Sequence, residues 1–171
     1  MAERPADSLN EIGVLKRREI EARLVGPLVD ALGEEFGRER VLEVLRRVIV
    51  QIAHQQGAAL VEQTGGDTLE HFAAVREQWQ RGNALETELL EQSRQRLAFN
   101  VTRCRYAEMY QALGIPELGA ALSCNRDFAL IQGFNPQVKL TRTQTLMGGA
   151  AYCDFRYELG GQPPANDQDS V

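Results

Sequence analysis

The chain has 171 residues, 43% of them hydrophobic and 25% charged, which is the composition of an ordinary folded domain and not of a disordered segment. A net charge of -5 argues against a duplex nucleic-acid binder that works by neutralising phosphates. No window approaches the roughly 18 apolar residues of a membrane span, and the charged N-terminal stretch lacks a signal peptide's apolar core, so a cytoplasmic protein is expected.

Ser8 followed by Glu11 reads as a capping box. Leu9, Ile12, Leu15, Leu24, Leu28 and Leu32 then recur at helical spacing up to Gly33, with a bend expected at Gly26-Pro27. A second apolar stripe from Val41 to Leu60 ends at Gly65-Gly66. Asp67 and Glu70 open a third helix that buries Leu69, Phe72, Val75 and Trp79. After Arg81-Gly82-Asn83 the apolar period shortens to two. Leu85, Thr87 and Leu89 face Leu97, Phe99 and Val101 across a Ser93-Arg94-Gln95 turn, which predicts an antiparallel hairpin.

A short helix is expected from Tyr106 to Leu113, ended by Gly114, and another from Pro116 to about Gln132. Val138 to Leu146 and Tyr152 to Leu159 read as a second hairpin around Gly148-Gly149. The segment from Gly160 carries almost no apolar residue and reads as a disordered tail (160–171) behind a single domain over 1–159. The fold class is therefore α+β: N-terminal helices followed by a small antiparallel sheet with inserted helices.

The three cysteines, Cys104, Cys124 and Cys153, are separated by 19 and 28 residues, a spacing that fits neither a disulfide framework nor a zinc finger. His54 and His71 have no thiol or carboxylate at ligand spacing, so structural roles and no bound metal are expected. No cofactor motif is present.

Chemistry-bearing residues concentrate in the second half. Cys124 and Asp127 stand at i and i+3, about 5–6 Å apart on one helical face, where the carboxylate can exchange a proton with the thiol or a substrate. A thiolate at neutral pH needs a cation nearby, which Arg103, Arg126 or Arg142 can supply. The opposing reading makes Cys124 a small buried hydrophobe and Asp127 a surface residue. Between Phe99 and Leu159 the chain has six basic and five acidic residues, so this region is more cationic than the rest. Arg103 and Arg142 suit bidentate binding of a small anion.

The run FNVTRCRYAEMYQALGIPELGAALSCNRDFALIQGFNP (99–136), followed by KLTRTQTLMGGAAYCDFRY (139–157), resembles the bacterial L-2-amino-thiazoline-4-carboxylic acid hydrolase family. The ordered set N-V-T-R-C, C-N-R-D, G-F-N-P, R-T-Q-T-L-M and C-D-F is more specific than any one piece and covers about a third of the chain. The resemblance implies hydrolytic opening of a small thiazoline ring that bears a carboxylate: water adds to the amidine-like carbon and the ring sulfur leaves.

Fitted to that reaction, Cys124 attacks the carbon, Asp127 relays protons, and Asn100 or Asn125 stabilises the tetrahedral adduct. Arg103 or Arg142 holds the substrate carboxylate, and Thr143 lies beside Arg142 as a further binding residue. In an alternative version Asp127 activates water directly. The expected partner is a small anionic heterocycle, with a homo-oligomer left open. Two further readings stand beside these. Cys124, Asp127 and Cys153 distantly resemble the thiolate and carboxylate set of organomercurial lyases, and a non-catalytic anion-binding module would need only the arginines.

Overall fold

The computed structural model describes residues 9–160. Ser8 of the expected capping box and residues 161–171 of the expected tail lie outside this range. A 3₁₀ turn, Leu9–Ile12, leads into α1 (Val14–Phe36), which runs unbroken through Pro27 and three residues past Gly33. Only Gly37 separates α1 from α2 (Arg38–Thr64). Its φ of 87° is open to glycine at little cost, and its N–H closes α1 on the Gly33 carbonyl at 3.0 Å. The helix α3 (Leu69–Gln80) is capped by Thr68, whose hydroxyl accepts from the His71 N–H and also meets the His71 ring nitrogen at 2.7 Å. His71 thus serves a helix start.

Strands β1 (Leu85–Gln92) and β2 (Arg96–Cys104) form the first hairpin. Irregularities after Glu86 and after Leu89 turn the second half of β1 out of phase with the simple alternation, leaving Leu89 and Leu90 exposed at the sheet edge. The helix α4 (Arg105–Ala112) follows directly. The helix expected from Pro116 is three pieces: α5 (Pro116–Gly119), a π turn over Ala120–Cys124, and α6 (Arg126–Phe134). Strand β3 is only Val138–Thr141, shorter than expected, and β4 is Cys153–Leu159. They pair antiparallel, but residues 142–152 form a loop with one 3₁₀ turn in place of a tight Gly148-Gly149 hairpin. The sheet is fully antiparallel, in the order β1-β2-β4-β3.

Register decides which side chains can share a site. Leu97 opposes Tyr157, Phe99 opposes Phe155 and Val101 opposes Cys153, so these six point to one face, against α3 and α6. Asn100 opposes Asp154 and Ala98 opposes Arg156 on the other face. A second core gathers Ala22, Val29, Leu42, Ile49, Tyr110 and Leu118 between α1, α2, α4 and α5. Cys104 and Leu146 pack against both cores.

The helices α2 and α6 cross at backbone contact. A Cβ on Gly57 would overlap the Leu130 carbonyl oxygen and lie 2.8 Å from the Phe134 nitrogen. A Cβ on Gly133 would overlap the His54 carbonyl oxygen. Two reciprocal glycines therefore let the helix backbones touch along the second half of α6.

Candidate active site

The site is built where the π turn hands over to α6. The Asn125 N–H reaches the Ala120 carbonyl at 2.9 Å, a bond spanning five residues that widens the helix just before Arg126 and Asp127. Asn125 ties this turn to α2 by donating its side-chain amide to the Arg46 carbonyl at 3.2 Å. Arg126 is buried and turns toward α1 and α2, donating to the Leu122 carbonyl at 2.7 Å and to Gln56 at 3.0 Å. Glu21 lies 3.8 Å from it and also pairs with Arg17 and Arg18. Burial, with Arg18 close by, pushes the Arg126 guanidinium down to about 10.

Asp127 faces the opposite way and accepts from Arg142, which also donates to the Cys124 carbonyl at 3.2 Å. The Arg142 guanidinium lies over Phe128 at 5.2 Å and over Phe155 at 5.4 Å from their centroids. Its side chain is 9% exposed, against 27% for Asp127, so the pair is mostly enclosed with one edge of the carboxylate open. Burial raises the Asp127 carboxyl to about 6, although Arg142 pulls it the other way. A carboxyl in that range changes charge near neutral pH, as a general base or acid must.

The thiols behave differently. Burial pushes Cys124 up to about 12, and the neighbouring Asp127 charge adds to this more than Arg142 subtracts. Cys104 is raised to about 11 by burial; it caps α4 by accepting the Ala107 N–H at 3.4 Å. Cys153 is raised as well by burial, and its sulfur accepts the Leu146 N–H at 3.2 Å. All three are protonated thiols at neutral pH, and two of them hold backbone. Among the described residues no group of three or more His, Cys, Asp or Glu is placed to hold a metal ion.

Of the residues singled out in the sequence, the structure brings together Cys124, Asp127 and Arg142, with Thr143 next in the loop. Asn100 is elsewhere: on the outer face of the sheet it accepts from Arg156 at 2.8 Å and donates to Glu88 at 3.3 Å. Arg103 is exposed and engaged with Glu108 at 2.7 Å and Glu86 at 3.3 Å. The side chain of Asn125 is spent on α2. Thr143 holds the loop, its hydroxyl donating to Asp154 at 2.7 Å while the Thr143 and Gln144 N–H groups each donate to Asp154 at 2.9 Å. Burial pushes the Asp154 carboxyl up, but the hydrogen bonds from the Thr143 hydroxyl and from Gln144 and Thr143 N–H outweigh it and keep the carboxyl below the usual range.

Arg142, Thr143, Gln144, Thr145, Gly148 and Ala150 line an open depression of about 380 Å³. A larger one, about 610 Å³, lies between the start of α1 and α4 and is lined by residues such as Lys16, Glu19, Arg81 and Glu108. It contains none of Cys124, Asp127 or Arg142, so the smaller depression is the one joined to the chemistry.

Arg76 of α3 had no signal in the sequence beyond its charge. Its guanidinium lies 5.1 Å from the Phe99 ring centroid, and its Nε and Nη1 are buried without a hydrogen-bond partner. Phe99 itself stacks on Phe155 at 5.0 Å, so arginines from α3 and from the 142–152 loop rest on adjacent rings of the sheet's inner face.

No described helix is long and apolar enough to cross a membrane. No curated protein matches the chain significantly. The family model for L-2-amino-thiazoline-4-carboxylic acid hydrolase matches residues 17–157, which takes in α1 almost from its start, β1 to β3 and most of β4. With that span well beyond half of its length, the chain belongs to the L-2-amino-thiazoline-4-carboxylic acid hydrolase family.

Proposed function

We propose that the protein hydrolyses a small carboxylate-bearing thiazoline, with Asp127 activating water and Arg142 setting the charge of the site. The observation that carries this reading is the enclosed Asp127 and Arg142 pair, whose carboxyl is raised to about 6. At neutral pH Asp127 is mostly ionised, yet basic enough to accept a proton from water. The water oxygen bonds to the amidine-like ring carbon, and the carbon–sulfur bond breaks. The proton left on the added oxygen passes to the ring nitrogen as the carbonyl forms, and the proton taken by Asp127 returns to the departing sulfur, giving an N-carbamoyl amino acid with a free thiol. Atoms balance with one water consumed and no cofactor.

The depression beside Arg142 has the volume of a small-ligand site, and a carboxylate on the substrate suits the N–H groups of Arg142 that Asp127 and Cys124 leave free. Covalent attack by Cys124 is the weaker version. A thiol pushed to about 12 holds almost no thiolate at pH 7, and the neighbouring Asp127 carboxylate opposes its ionisation. The organomercurial-lyase reading has the same difficulty, since it needs thiolates at Cys124 and Cys153.

The test is turnover of L-2-amino-thiazoline-4-carboxylate by the wild type and by Asp127→Asn. The amide keeps the shape and removes the base, so kcat should fall by at least about 100-fold while the chain stays folded. A folded Asp127→Asn protein with near-wild-type kcat would remove Asp127 from the reaction.

A further inference from the structure

The ladder between β3 and β4 stops one residue short of Arg142. Leu140 pairs with Tyr157 and Thr141 with Arg156, so one more step of the same register would bring Arg142 opposite Phe155, and a second would bring Thr143 opposite Asp154. The side chains keep that order although the backbone bonds do not. Val138 and Leu140 point into the core, and Arg142 continues their face and lays its guanidinium 5.4 Å from the Phe155 centroid. Thr143 takes the opposite face, where its hydroxyl meets Asp154.

On that outer face the Asp154 side chain stands in for the missing ladder. One carboxylate oxygen accepts the Thr143 and Gln144 N–H groups, each at 2.9 Å, and the other accepts the Thr143 hydroxyl at 2.7 Å. These bonds go to the two residues that follow Arg142, so the chain is anchored directly after the arginine, across the sheet from its guanidinium. That guanidinium must at once meet the Asp127 carboxylate, reach the Cys124 carbonyl and lie over Phe128 and Phe155. A bond to Cys124 that is already 3.2 Å long is lost on a shift of well under an ångström. The other ties of the loop, from the Leu146 N–H to Cys153 and from the Gln144 amide to the Tyr152 carbonyl, attach further from Arg142.

We propose that Asp154 is a positioning residue for Arg142: its outer-face carboxylate fixes the backbone from which the arginine reaches Asp127. This rests on Asp127 and Arg142 forming the catalytic pair. The consequence is read at Asp127, because a misplaced Arg142 no longer opposes burial there. The other cations that act on Asp127, Arg126 of α6 and Arg18 of α1, are held by Glu21, Gln56 and the Leu122 carbonyl. The thiols and phenols around it, Cys104, Cys124, Cys153, Tyr106 and Tyr157, are kept neutral by burial. Asp154 hydrogen-bonds to none of these groups. The sign of the effect separates positioning from direct electrostatics. Asp154 is held below the usual carboxylate range and is ionised at neutral pH, so deleting its negative charge alone would lower the Asp127 carboxyl or leave it unmoved, whereas releasing Arg142 raises it.

The test is NMR titration of the Asp127 carboxyl carbon in the full chain, with the acid limb of kcat/KM beside it, for Asp154→Ala and Asp154→Asn, alone and together with Arg142→Met. Both substitutions remove the charge, but the asparagine amide oxygen can still accept the two N–H groups and its NH2 can donate to the Thr143 hydroxyl. Asp154→Ala should raise the Asp127 midpoint by about one pH unit or more, and Asp154→Asn should keep it near the wild-type value. With Arg142→Met present, neither should move it further. Asp154→Ser, whose hydroxyl falls short of the two N–H groups, replaces the alanine variant if that one does not fold, and should shift the midpoint in the same direction. A midpoint that the alanine or serine variant leaves unmoved or lowers overturns the proposal. So does an asparagine variant that shifts as far as alanine, or a further shift once Arg142 is gone. The titration reads the carboxyl whether or not the protein turns over a thiazoline, so these shifts in a protein without that activity would refute the proposed function and leave the positioning role standing.

Discussion

Removing the Arg142 charge should move the acid limb of the pH profile, because Arg142 is the group that works most strongly against burial at Asp127. The carboxyl stands at about 6 under opposed influences, desolvation raising it and the Arg142 charge and hydrogen bond, with smaller contributions from Arg126 and Arg18, lowering it. Arg142→Met keeps most of the side-chain stem between Phe128 and Phe155 while deleting the opposing influence. A guanidinium in contact with a carboxylate ordinarily lowers the carboxyl by about one to three pH units, so the acid limb of kcat/KM should move to higher pH by that amount.

The size of the effect at fixed pH follows from the fraction ionised. With the carboxyl at about 6, roughly 90% of the wild type has the base form at pH 7; after a two-unit rise the fraction is about 10%. Protonation alone then costs about tenfold in kcat/KM at pH 7, and this part is recovered at pH 9. Loss of substrate binding would lower the whole profile without moving its limb, so limb and plateau separate the two roles of Arg142. The fold should tolerate the change, since a carboxyl left without its partner can take up a proton in place of remaining as a buried charge. The assay is initial-rate hydrolysis from pH 5 to 10. An acid limb that stays at the wild-type position would show that Asp127 is not the titrating base or that Arg142 does not tune it.

Cys124→Ser should keep at least about a third of wild-type kcat, because a thiol raised to about 12 contributes packing and not a nucleophile; a loss beyond 100-fold in a folded variant, or trapping of an adduct on Cys124 by mass spectrometry, would restore the covalent route. Gly57→Ala and Gly133→Ala should each cost at least about 2–3 kcal/mol in urea unfolding, since the added methyl meets backbone and not a movable side-chain tip; unfolding midpoints within error of wild type would show that the α2 and α6 crossing is looser than its geometry. Arg76→Met should leave stability unchanged or raise it by up to about 2 kcal/mol, because it removes two buried nitrogens without partners and keeps the contact with Phe99; a loss above 1 kcal/mol would mean that the charge itself holds α3 on the sheet.

The order of elements was legible in the sequence because apolar spacing reports the local period directly. The change near Gly82 from a helical repeat to alternation marks the passage from α3 to β1, and the hairpin faces follow from Leu97, Phe99 and Val101. Spacing reports less where one strand ends and a loop continues with similar residues. Thr141 to Leu146 looks like more strand, but Asp154 gathers the N–H groups of Thr143 and Gln144 and draws the chain out of the ladder. The leucines of α1 mislead in the opposite sense. Leu24, Leu28 and Leu32 announce a buried face by their spacing, yet they are exposed, and the core is reached through the smaller Ala22, Gly26 and Val29.

The candidate site was half legible for a related reason. Cys124 and Asp127 are neighbours on one stretch of helix, so their proximity is local, and Arg142 joins them because α6 and the loop after β3 meet beneath Phe155. Asn100 and Arg103 looked equally chemical, but strand alternation sends Asn100 to the outer face, and Arg103 is exposed among Glu86 and Glu108. Parity along the strand decides for Asn100 and the register shift near Glu86 lies opposite Arg103, whereas the state of a thiol or carboxyl is decided by what the fold packs around it. The same enclosure acts oppositely on the two groups at the start of α6. It keeps the Cys124 sulfur protonated and so inactive as a nucleophile, and it lifts the Asp127 carboxyl toward the pH at which a base can be regenerated within each turnover. Burial at this one place therefore favours water activation over covalent attack.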